Sequence, residues 1–500
     1  MSWAIAVVCG IVRVAGALFV KTYFNPDEYW QGPEVAHRVV FGYGYLTWEW
    51  QPFARIRGFA HPAIFAIFFK ILQLLSLDTP AIIRVTPRLV QAAIATIGDV
   101  FLYKLANRWF GSRVATLSLF CQLVNWFYFY CIVRTFSNSV ETILTLIALF
   151  YWPYLPDDGR GKRATALAYA ALSIIMRPTS GPFWALLGLH LLLRSRDRSR
   201  LVFMEVVPVG IAALAASFAI DRIFYGSWTF VMANFARFNF GGGACPGAAM
   251  YGSHPWHWYV SEGLPAMIGS MIPLVLLGVF MSRRFAPALL FLSIPAIMSV
   301  SPHKEFRFVL PGMPIAFIYA GYGLAILQAS YMSRKRWGWL YPFSIAVVLV
   351  SNAGAVAYFG RWHQRAPVQL MDYLGDALDK RPGDVQSIDF LTECHATPYY
   401  SHLHVPVPMR ILECAPEFNG PRCVGDRSKS DSQSFLRDPE AFVLRYYANI
   451  TDLPSHIVLF DVYRNQLQGF LDTHSYRLEA SFFHSHFEQE TALLLYRRQP

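Results

Sequence analysis

The sequence predicts a mainly α-helical, polytopic membrane protein with about 11–13 transmembrane helices and a small α/β domain at its C-terminal end. The first supporting observation is composition: of 500 residues, 55% are hydrophobic and 15% are charged. The mean hydropathy is +0.33, and soluble domains carry about a quarter charged residues. A soluble core of this size could not bury so much apolar surface, whereas helices that face lipid are apolar on their outside as well.

The second observation is the recurrence of apolar stretches of spanning length along residues 1–360. The first, at 2–20, is predicted to be a span and not a cleaved signal, because it lacks a basic start and carries Arg13. A longer region at 164–194 is interrupted by Arg177-Pro178-Thr179, which predicts two short segments that meet at the break. The other stretches lie at roughly 60–78, 86–106, 112–131, 137–154, 202–220, 263–281, 285–301, 308–328 and 338–359.

The third observation is that short basic clusters separate these stretches, and the positive-inside rule places such clusters on the cytosolic face. The segments then predicted on the opposite face are 132–136, 177–179, 221–262, 302–307 and all of 361–500. With a cytosolic N-terminus, loop 21–59 falls on that face as well. Between 60 and 131 three apparent spans must make an even number of crossings, so one of them is predicted to be re-entrant or split. The basic clusters are Gly159-Arg160-Gly161-Lys162-Arg163, Arg194 to Arg200, Arg283-Arg284 and Arg334-Lys335-Arg336.

Residues 361–500 hold no stretch of spanning length. Short β-branched or aromatic runs at 456–463 and 492–496 predict strands, and therefore a small mixed α/β domain. The acceptor sequon Asn449-Ile450-Thr451 agrees with a non-cytosolic position.

The seven cysteines divide into two groups. Those in or beside apolar stretches are expected to be packing residues, namely Cys9, Cys121 and Cys131. Those in polar segments could form disulfides in an oxidising compartment, and the sequence leaves their connectivity open. The second group consists of Cys394, Cys414 and Cys423, which Cys245 could join.

The loop after the first span begins Asn25-Pro26-Asp27-Glu28-Tyr29-Trp30-Gln31. The pair Asp27-Glu28 has two interpretations. Proline at the first helical position and acids in the first turn are typical of an ordinary helix start. A carboxylate pair at a membrane surface is equally suited to catalysis, and Asp27, Glu34 and Glu49 are expected to face one pocket on interfacial helices.

Two further clusters are predicted near the same face. The run Tyr251 to Tyr259 contains His254, Trp256 and His257, which fit either interfacial anchoring or substrate binding. The run Ser301 to Phe308 places four ionisable groups between two spans, where they are costly unless they line a polar cavity. These four are His303, Lys304, Glu305 and Arg307, and Arg134 is a further charge that fits a helix end, a buried ion pair or a site.

Carboxylates in one loop and cations in several others suit a lipid-phosphate donor. Cations hold the phosphate and stabilise the charge that develops as it leaves, while a carboxylate takes the proton of an acceptor hydroxyl. The net charge of +11 is spread over short clusters between spans, so no nucleic-acid partner is predicted. The sequence contains no Walker loop, Rossmann glycine pattern, nucleophile elbow or zinc-type cysteine and histidine spacing.

At these residues the chain resembles the glycosylphosphatidylinositol (GPI) mannosyltransferases of class B, which add the third mannose of the anchor. The acidic loop and the His-Lys-Glu block are shared with related dolichol-dependent mannosyltransferases. The resemblance runs from the first loop into the C-terminal part. Its narrower segments are Gly42-Tyr43-Gly44-Tyr45, Ser253-His254-Pro255-Trp256-His257-Trp258-Tyr259 and Cys394-His395-Ala396-Thr397-Pro398-Tyr399-Tyr400.

The resemblance implies the C-type glycosyltransferase fold in the endoplasmic reticulum membrane, with a lumenal active site and a lumenal domain at 361–500. It implies dolichyl-phosphate mannose as donor, a mannosylated glucosaminyl-phosphatidylinositol as acceptor, and α-1,2 transfer with inversion. No cofactor and no metal are expected.

By position, Asp27 is expected to be the general base with Glu28 in support, and His303, Lys304 and Arg307 to bind the donor phosphate. The expected substrate-binding residues are His254, His257, Trp256, Glu49 and Arg134. The wider family often has histidine before the Pro-Asp-Glu run, where this chain has Asn25, so no role of that imidazole is carried over.

Other functions remain open from sequence. The sister enzymes that add α-1,2-mannose to the N-glycan precursor, or a fourth mannose to the anchor, share the acidic loop but not the narrower segments. A lipid transporter or scaffold would use the same charged loops without chemistry.

Overall fold

A computed structural model describes residues 2–154, 162–240, 247–381, 383–419, 422–423, 427–448, 450 and 452–499. Residues 159–161 of the first basic cluster, Cys245, and Asn449 and Thr451 of the sequon lie outside these ranges, and the side chain of Cys423 is likewise not described.

Up to Arg361 the regular elements of the described chain are all helices, joined by loops. The α-helices are Ser2–Phe19, Asp27–Trp30, Pro33–Phe41, Ala60–Leu74, Pro80–Phe110, Ser112–Val124, Trp126–Ile132, Ser137–Tyr151, Arg163–Met176, Gly181–Arg194, Arg198–Arg200, Val207–Tyr225, Val231–Phe240, Leu264–Ile268, Ile272–Ser282, Phe285–Ser299, Met313–Met332 and Leu340–Arg361. A π-helical turn, Leu201–Val206, continues Arg198–Arg200 into Val207–Tyr225, and the 3-10 turn Phe306–Gly312 leads into Met313–Met332.

Five helices in the described ranges are long and apolar enough to cross a membrane, or six if one bent pair counts as a single span. The predicted number of about 11–13 exceeds this count, because several predicted stretches form helices that are short or broken. The short apolar helices are Trp3–Phe19, Ala60–Leu74, Arg163–Met176 and Phe285–Ser299.

The bent pair lies in the region where the topology predicted a split or re-entrant element. Ser112–Val124 and Trp126–Ile132 meet at an angle of 70°. At the break the side chain of Asn125 accepts a hydrogen bond from the Tyr128 backbone N–H (2.9 Å) and donates one to the Met267 carbonyl oxygen (2.9 Å). A helix can be interrupted at membrane depth only where such partners satisfy its polar groups.

Arg13 in the first helix has a specific partner. Its guanidinium donates two hydrogen bonds of 2.7 Å to the Asp99 carboxylate on the helix Pro80–Phe110, and both side chains are fully buried. The amide of Gln122 donates to the same carboxylate at 2.7 Å. A charge inside a span is therefore neutralised by a buried pair that fastens two helices together.

The C-terminal part forms an α/β layer, as predicted. Its strands are β1 (Ile388–Leu391), β2 (Met409–Ile411), β3 (Phe418–Asn419), β4 (Arg422–Cys423), β5 (His456–Phe460), β6 (Tyr476–Phe483) and β7 (Ala492–Arg498). Strands β3 and β4 form a separate hairpin. The other five form one sheet in the order β2-β1-β5-β7-β6, with β1 parallel to both β2 and β5, and β7 antiparallel to both β5 and β6. The predicted strands at 456–463 and 492–496 correspond to β5 and β7. The α-helices of this part are Ala366–Lys380, Tyr400–Leu403, Asp431–Arg437, Pro439–Tyr447 and Arg464–Thr473.

The cysteine connectivity that the sequence left open includes the disulfide Cys394–Cys414. It joins the segment after β1 to the segment after β2, whose strands are neighbours in the sheet. Cys9, Cys121 and Cys131 are buried free thiols, as expected for packing residues.

Candidate active site

Asp27 begins the four-residue helix Asp27–Trp30, which follows the first apolar helix closely. The backbone N–H of Asp27 donates to the Asn25 side-chain oxygen (3.0 Å), so Asn25 fixes the start of this helix. One carboxylate oxygen of Asp27 accepts a hydrogen bond from Arg307 Nη2 at 2.6 Å, although the two residues are 280 positions apart. The Asp27 side chain is 25% exposed, so its carboxylate is held in place and still accessible.

Glu305 links the predicted phosphate-binding residues. Its carboxylate accepts Arg307 Nε at 2.6 Å and His303 Nε2 at 2.9 Å. Burial alone would raise the pKa of Glu305, but the charge of Arg307 and the hydrogen bonds from His303 and Arg307 bring it below its usual value. Asn25 also donates to this carboxylate, at 3.1 Å. The structure thus brings Asp27, His303 and Arg307 together around an ionised Glu305, to which the sequence alone assigned no role. These four residues are called the Asp27 cluster below.

Lys304 has a different environment. Its side chain is only 3% exposed, and its ammonium donates to the carbonyl oxygens of His254 (3.1 Å) and Ser301 (2.6 Å). Among the residues that the structure describes, no carboxylate pairs with it. Burial lowers the pKa of Lys304, because no carboxylate beside the ammonium offsets its loss of solvent. A buried cation without a counter-ion is suited to receive an anion from outside the chain.

Glu28 lies on the other side of the same short helix. Its carboxylate is fully buried and accepts from Arg88 Nη2 (2.7 Å) and from Arg134. The Glu28 carbonyl oxygen accepts from the Thr135 hydroxyl. The structure therefore brings the predicted residues Glu28 and Arg134 to each other and away from Asp27. Arg134 is itself 0% exposed, so a ligand has no open path to it.

Glu49 connects the first loop to the second predicted cluster. It accepts from Arg57 Nη2 (2.7 Å) and from the Tyr251 hydroxyl (3.0 Å). Burial and the adjacent Glu49 carboxylate raise the pKa of Tyr251 well above its usual value. The Tyr251 ring lies 5.7 Å from the His303 ring, which places Glu49 beside the Asp27 cluster.

The three other predicted substrate-binding residues are divided. His254 packs on Trp258 at 4.8 Å, and its carbonyl oxygen is one of the two that hold Lys304. Trp256 is 75% exposed, and His257 contacts Ser261 on its own helical turn. Trp256 and His257 therefore have no contact with the Asp27 cluster in this conformation.

A cavity opens beside the cluster. The helix Val231–Phe240 closes one side of it. Its polar lining comes from Gln31, Arg57, His61, Ser137, Arg177, Thr179, Ser217 and Asp221. Arg177 pairs with Glu141 at 3.2 Å and interacts electrostatically with Asp27 and Arg307. Sequence reasoning did not include Arg177 in the site. The available signal was its position in the Arg177-Pro178-Thr179 break of an apolar region, where a charge needs a polar surrounding.

Residues 395–404 of the C-terminal part hold the helix that carries Asp27. Trp30 donates its indole N–H to the Thr397 carbonyl oxygen (2.9 Å), and its ring packs on His395 at 4.5 Å and Tyr399 at 5.0 Å. Sequence reasoning assigned these residues no function, although they belong to a segment with a narrow family resemblance.

Glu34 makes a second connection between the first loop and the C-terminal part. Its two carboxylate oxygens accept the backbone N–H groups of Tyr45 (3.1 Å) and Ser401 (2.8 Å). Burial raises the pKa of Glu34 to about 7, against the smaller opposing effect of the hydrogen bonds from Ser401. Glu34 therefore does not join Asp27 and Glu49 in one pocket, which corrects the expectation from sequence.

One group of potential metal ligands occurs in the described ranges, namely Cys394, His395 and Cys414. The two sulfur atoms are joined in a disulfide, which leaves His395 as the single ligand of the three. These residues do not fit a metal centre.

Comparison with known proteins identifies relatives along nearly the whole chain. Residues 3–404 match the Alg9-like mannosyltransferase family. The chain is 41% identical to the protein named Mannosyltransferase APTG1 of Arabidopsis thaliana, covering 97% of this chain and 89% of the relative. It is 38% identical to GPI alpha-1,2-mannosyltransferase 3 of Danio rerio, covering 98% and 89%. The protein of the same name in Homo sapiens is 36% identical, covering 96% and 83%.

Solved structures share the fold at low sequence identity. ArnT from Cupriavidus metallidurans bound to undecaprenyl phosphate has a TM-score of 0.60 and 13% identity, covering 98% of this chain and 97% of ArnT. The oligosaccharyltransferase of Archaeoglobus fulgidus has a TM-score of 0.55 and 11% identity, covering 100% and 74%. These likenesses confirm the predicted fold class, a C-type membrane glycosyltransferase with a small C-terminal sheet layer.

Proposed function

The chain belongs to the Alg9-like mannosyltransferase family, and from this premise we propose that it adds the third mannose to the GPI-anchor precursor. The mannose is transferred in α-1,2 linkage from dolichyl-phosphate mannose to a mannosylated glucosaminyl-phosphatidylinositol. The relatives named GPI alpha-1,2-mannosyltransferase 3 support the linkage and the acceptor. A C-type neighbour bound to undecaprenyl phosphate supports a polyprenyl-phosphate donor.

Asp27 is the proposed general base. It takes the proton of the acceptor hydroxyl while that oxygen attacks the anomeric carbon of the donor mannose. The bond from this carbon to the phosphate oxygen breaks, and dolichyl phosphate leaves with the electron pair. Attack opposite the leaving group converts a β-phosphate into an α-glycoside. The observation that carries the proposal is the partly exposed Asp27 carboxylate, which Arg307 holds by one oxygen.

His303, Lys304 and Arg307 are the proposed ligands of the donor phosphate. Lys304 is the strongest of the three candidates, because its charge has no carboxylate partner among the described residues. Arg307 and His303 both hydrogen-bond Glu305, which holds their N–H donors in place for a phosphate. No metal is needed to bridge a single phosphate, so we propose a metal-independent reaction without a cofactor.

Glu49 is the proposed acceptor-binding residue that lies nearest to the Asp27 cluster, because it joins the first loop to Tyr251 beside His303. His254 is assigned to the donor-phosphate site, because its carbonyl oxygen holds Lys304. Trp256 and His257 are assigned to contact with the lipid part of a substrate at the membrane surface. The whole site and residues 361–500 are proposed to face the lumen of the endoplasmic reticulum.

Membranes that contain the enzyme, supplied with labelled dolichyl-phosphate mannose and the two-mannose anchor lipid, test this function. The expected product is a labelled three-mannose lipid. Treatment with α-1,2-mannosidase should convert it back to the two-mannose anchor lipid. Transfer to the N-glycan precursor, or only to a three-mannose anchor lipid, would assign the chain to a sister enzyme instead.

A transporter or scaffold is the rival from another class. It would move or retain the lipids without forming a glycosidic bond, and it would tolerate Asp27→Asn. The accessible Asp27 carboxylate held by Arg307, together with membership of a mannosyltransferase family, favours the enzyme.

A further inference from the structure

A second pocket lies far along the chain from the Asp27 cluster, where the C-terminal sheet meets the last apolar helix, Leu340–Arg361. Its volume is about 690 Å³, within the range of pockets that hold small ligands. Five of its lining residues carry hydrogen-bonding side chains, and none of the seven is a carboxylate. The lining is Arg365, Ser481, Phe483, Ser485, His486, Thr491 and Ala492.

Arg365 is the charged residue of this pocket. Its guanidinium packs on the Phe483 ring at 5.4 Å, and its Nε atom is buried without a hydrogen-bond partner. No carboxylate in the described ranges pairs with it. A buried guanidinium nitrogen that lacks a partner is costly, so an arginine in this state is suited to an external anion.

The acids nearest to the pocket are already engaged. Glu488 accepts from Gln364 at 2.7 Å and lies 3.3 Å from His484. Asp461 accepts the backbone N–H and the hydroxyl of Thr491. Neither carboxylate lines the pocket, so Arg365 is the side chain of its lining that carries a permanent charge.

The position of the pocket indicates the source of the anion. The Tyr358 hydroxyl, near the end of the last apolar helix, bonds His486 Nδ1 at 2.9 Å, so this helix end lies against the pocket wall. Trp362 and Phe487 stand beside it, 46% and 76% exposed. Exposed aromatic residues at the end of a span mark the membrane interface, where the phosphates of lipids lie.

We propose that this pocket binds the phosphate headgroup of an anionic membrane lipid. Arg365 forms a charge-assisted hydrogen-bond pair with the phosphate oxygens. The hydroxyls of Ser481 and Ser485 donate to the remaining oxygens, and Trp362 and Phe487 lie along the acyl chains. The pocket is separate from the Asp27 cluster, so transfer of mannose does not require it.

The test uses the purified full-length protein in detergent, with thermal unfolding measured against added dioctanoyl phosphatidic acid. Wild type is expected to show a saturable rise in Tm, whereas dioctanoylglycerol, which lacks the phosphate, produces none. Arg365→Gln is expected to weaken the apparent affinity at least about tenfold. Arg361→Gln is the matched control, because Arg361 is exposed on the same helix end and does not line the pocket.

Three results would overturn the proposal. Arg365→Gln could bind like wild type, or Arg361→Gln could lose as much affinity, which would indicate surface charge alone. Inorganic phosphate could saturate the same shift at the same concentration, which would exclude a lipid. If Arg365→Gln folds poorly, Ser481→Asp replaces it, since this exposed strand residue adds a repelling charge to the pocket without opening the core. Unchanged binding by Ser481→Asp would also contradict the site.

Discussion

Asp27 and Glu28 are neighbours in sequence with opposite environments. Asp27 meets one guanidinium through one oxygen and is a quarter exposed, whereas Glu28 is fully buried between Arg88 and Arg134. Consecutive residues of a helix point about 100° apart. One turn of helix therefore leaves Asp27 partly exposed beside Arg307 and buries Glu28 in the helix bundle. The comparison indicates that the two carboxylates of one motif have separate roles. Asp27 is the one proposed for chemistry, and Glu28 anchors the loop.

Glu28→Gln is expected to have the largest effect on folding. It leaves the buried Arg134 without its counter-ion, which costs about 3–5 kcal/mol in comparable buried pairs. Thermal unfolding and the yield of monodisperse protein measure the loss. The folded fraction is expected to keep its rate of transfer per molecule within a few-fold.

A matched control for Glu28→Gln is Asp376→Asn, which removes the exposed ion pair with Lys380. Exposed pairs contribute little, so no measurable change in Tm is expected. Equal effects of the two substitutions would break the distinction between Glu28 and a surface carboxylate.

Glu34 is a third carboxylate of the same loop, and it is buried against the backbone N–H groups of Tyr45 and Ser401. The substitution Glu34→Gln extends the comparison of Asp27 and Glu28 to this environment. The folded pKa of Glu34, about 7, lies above its unfolded value of about 4.3. Between these values the unfolded chain has lost the proton and the folded chain retains it. The contribution of Glu34 to stability is therefore present below about pH 4.3 and lost as the pH rises towards 7, on the order of 1–3 kcal/mol.

Unfolding curves recorded between pH 4.5 and 7.5 test this sign. Wild type is expected to lose stability over the window relative to Glu34→Gln. If the difference grows in the opposite direction, Glu34 is ionised in the folded protein and the account of its burial is wrong.

Lys304→Met separates phosphate binding from stability. Because the ammonium has no carboxylate partner in the described ranges, its removal is expected to leave Tm unchanged or higher. The KM for dolichyl-phosphate mannose is expected to rise about tenfold, as for the loss of one charged hydrogen bond. Lys70→Met, at an exposed position that bonds Gln73, is the control that should change neither quantity. An unchanged KM in Lys304→Met would remove Lys304 from the donor site.

Trp30→Phe has the smallest expected effect. It keeps the ring between His395 and Tyr399 but loses the indole hydrogen bond to Thr397, worth about 1 kcal/mol. If residues 395–404 position Asp27, kcat falls several-fold while the donor KM is unchanged. A loss of stability with wild-type kcat would limit Trp30 to packing.

Much of the fold could be predicted from the sequence, because helices that face lipid must be apolar over their whole length. The apolar stretches and the strands at 456–463 and 492–496 are local patterns, and the structure has helices or strands at each of them. The bend at Asn125 and the Cys394–Cys414 disulfide depend on tertiary partners, such as Met267 for the Asn125 amide. The sequence pattern therefore located the apolar helices but not where they are short or bent.

For the site, sequence could name residues on one face but not their contacts. The positive-inside rule brought Asp27 and Arg307 to the same side of the membrane, and their 2.6 Å contact across 280 residues needed the structure. The partners of Glu28 and Glu34 were not predictable, since both depend on which side of a short helix faces the bundle. Glu305 was named among four ionisable groups, but its role as the partner of both His303 and Arg307 needed the structure.

Single-turnover transfer by Asp27→Asn tests the central claim most directly, with dolichyl-phosphate mannose bound beforehand and the two-mannose lipid added in excess. The account predicts a rate about 10²–10⁴-fold below wild type, as for the loss of a general base. Donor affinity and Tm should be within error of wild type, unlike those of Glu28→Gln. A rate within about threefold of wild type, or unfolding like that of Glu28→Gln, would contradict the assignment of chemistry to Asp27.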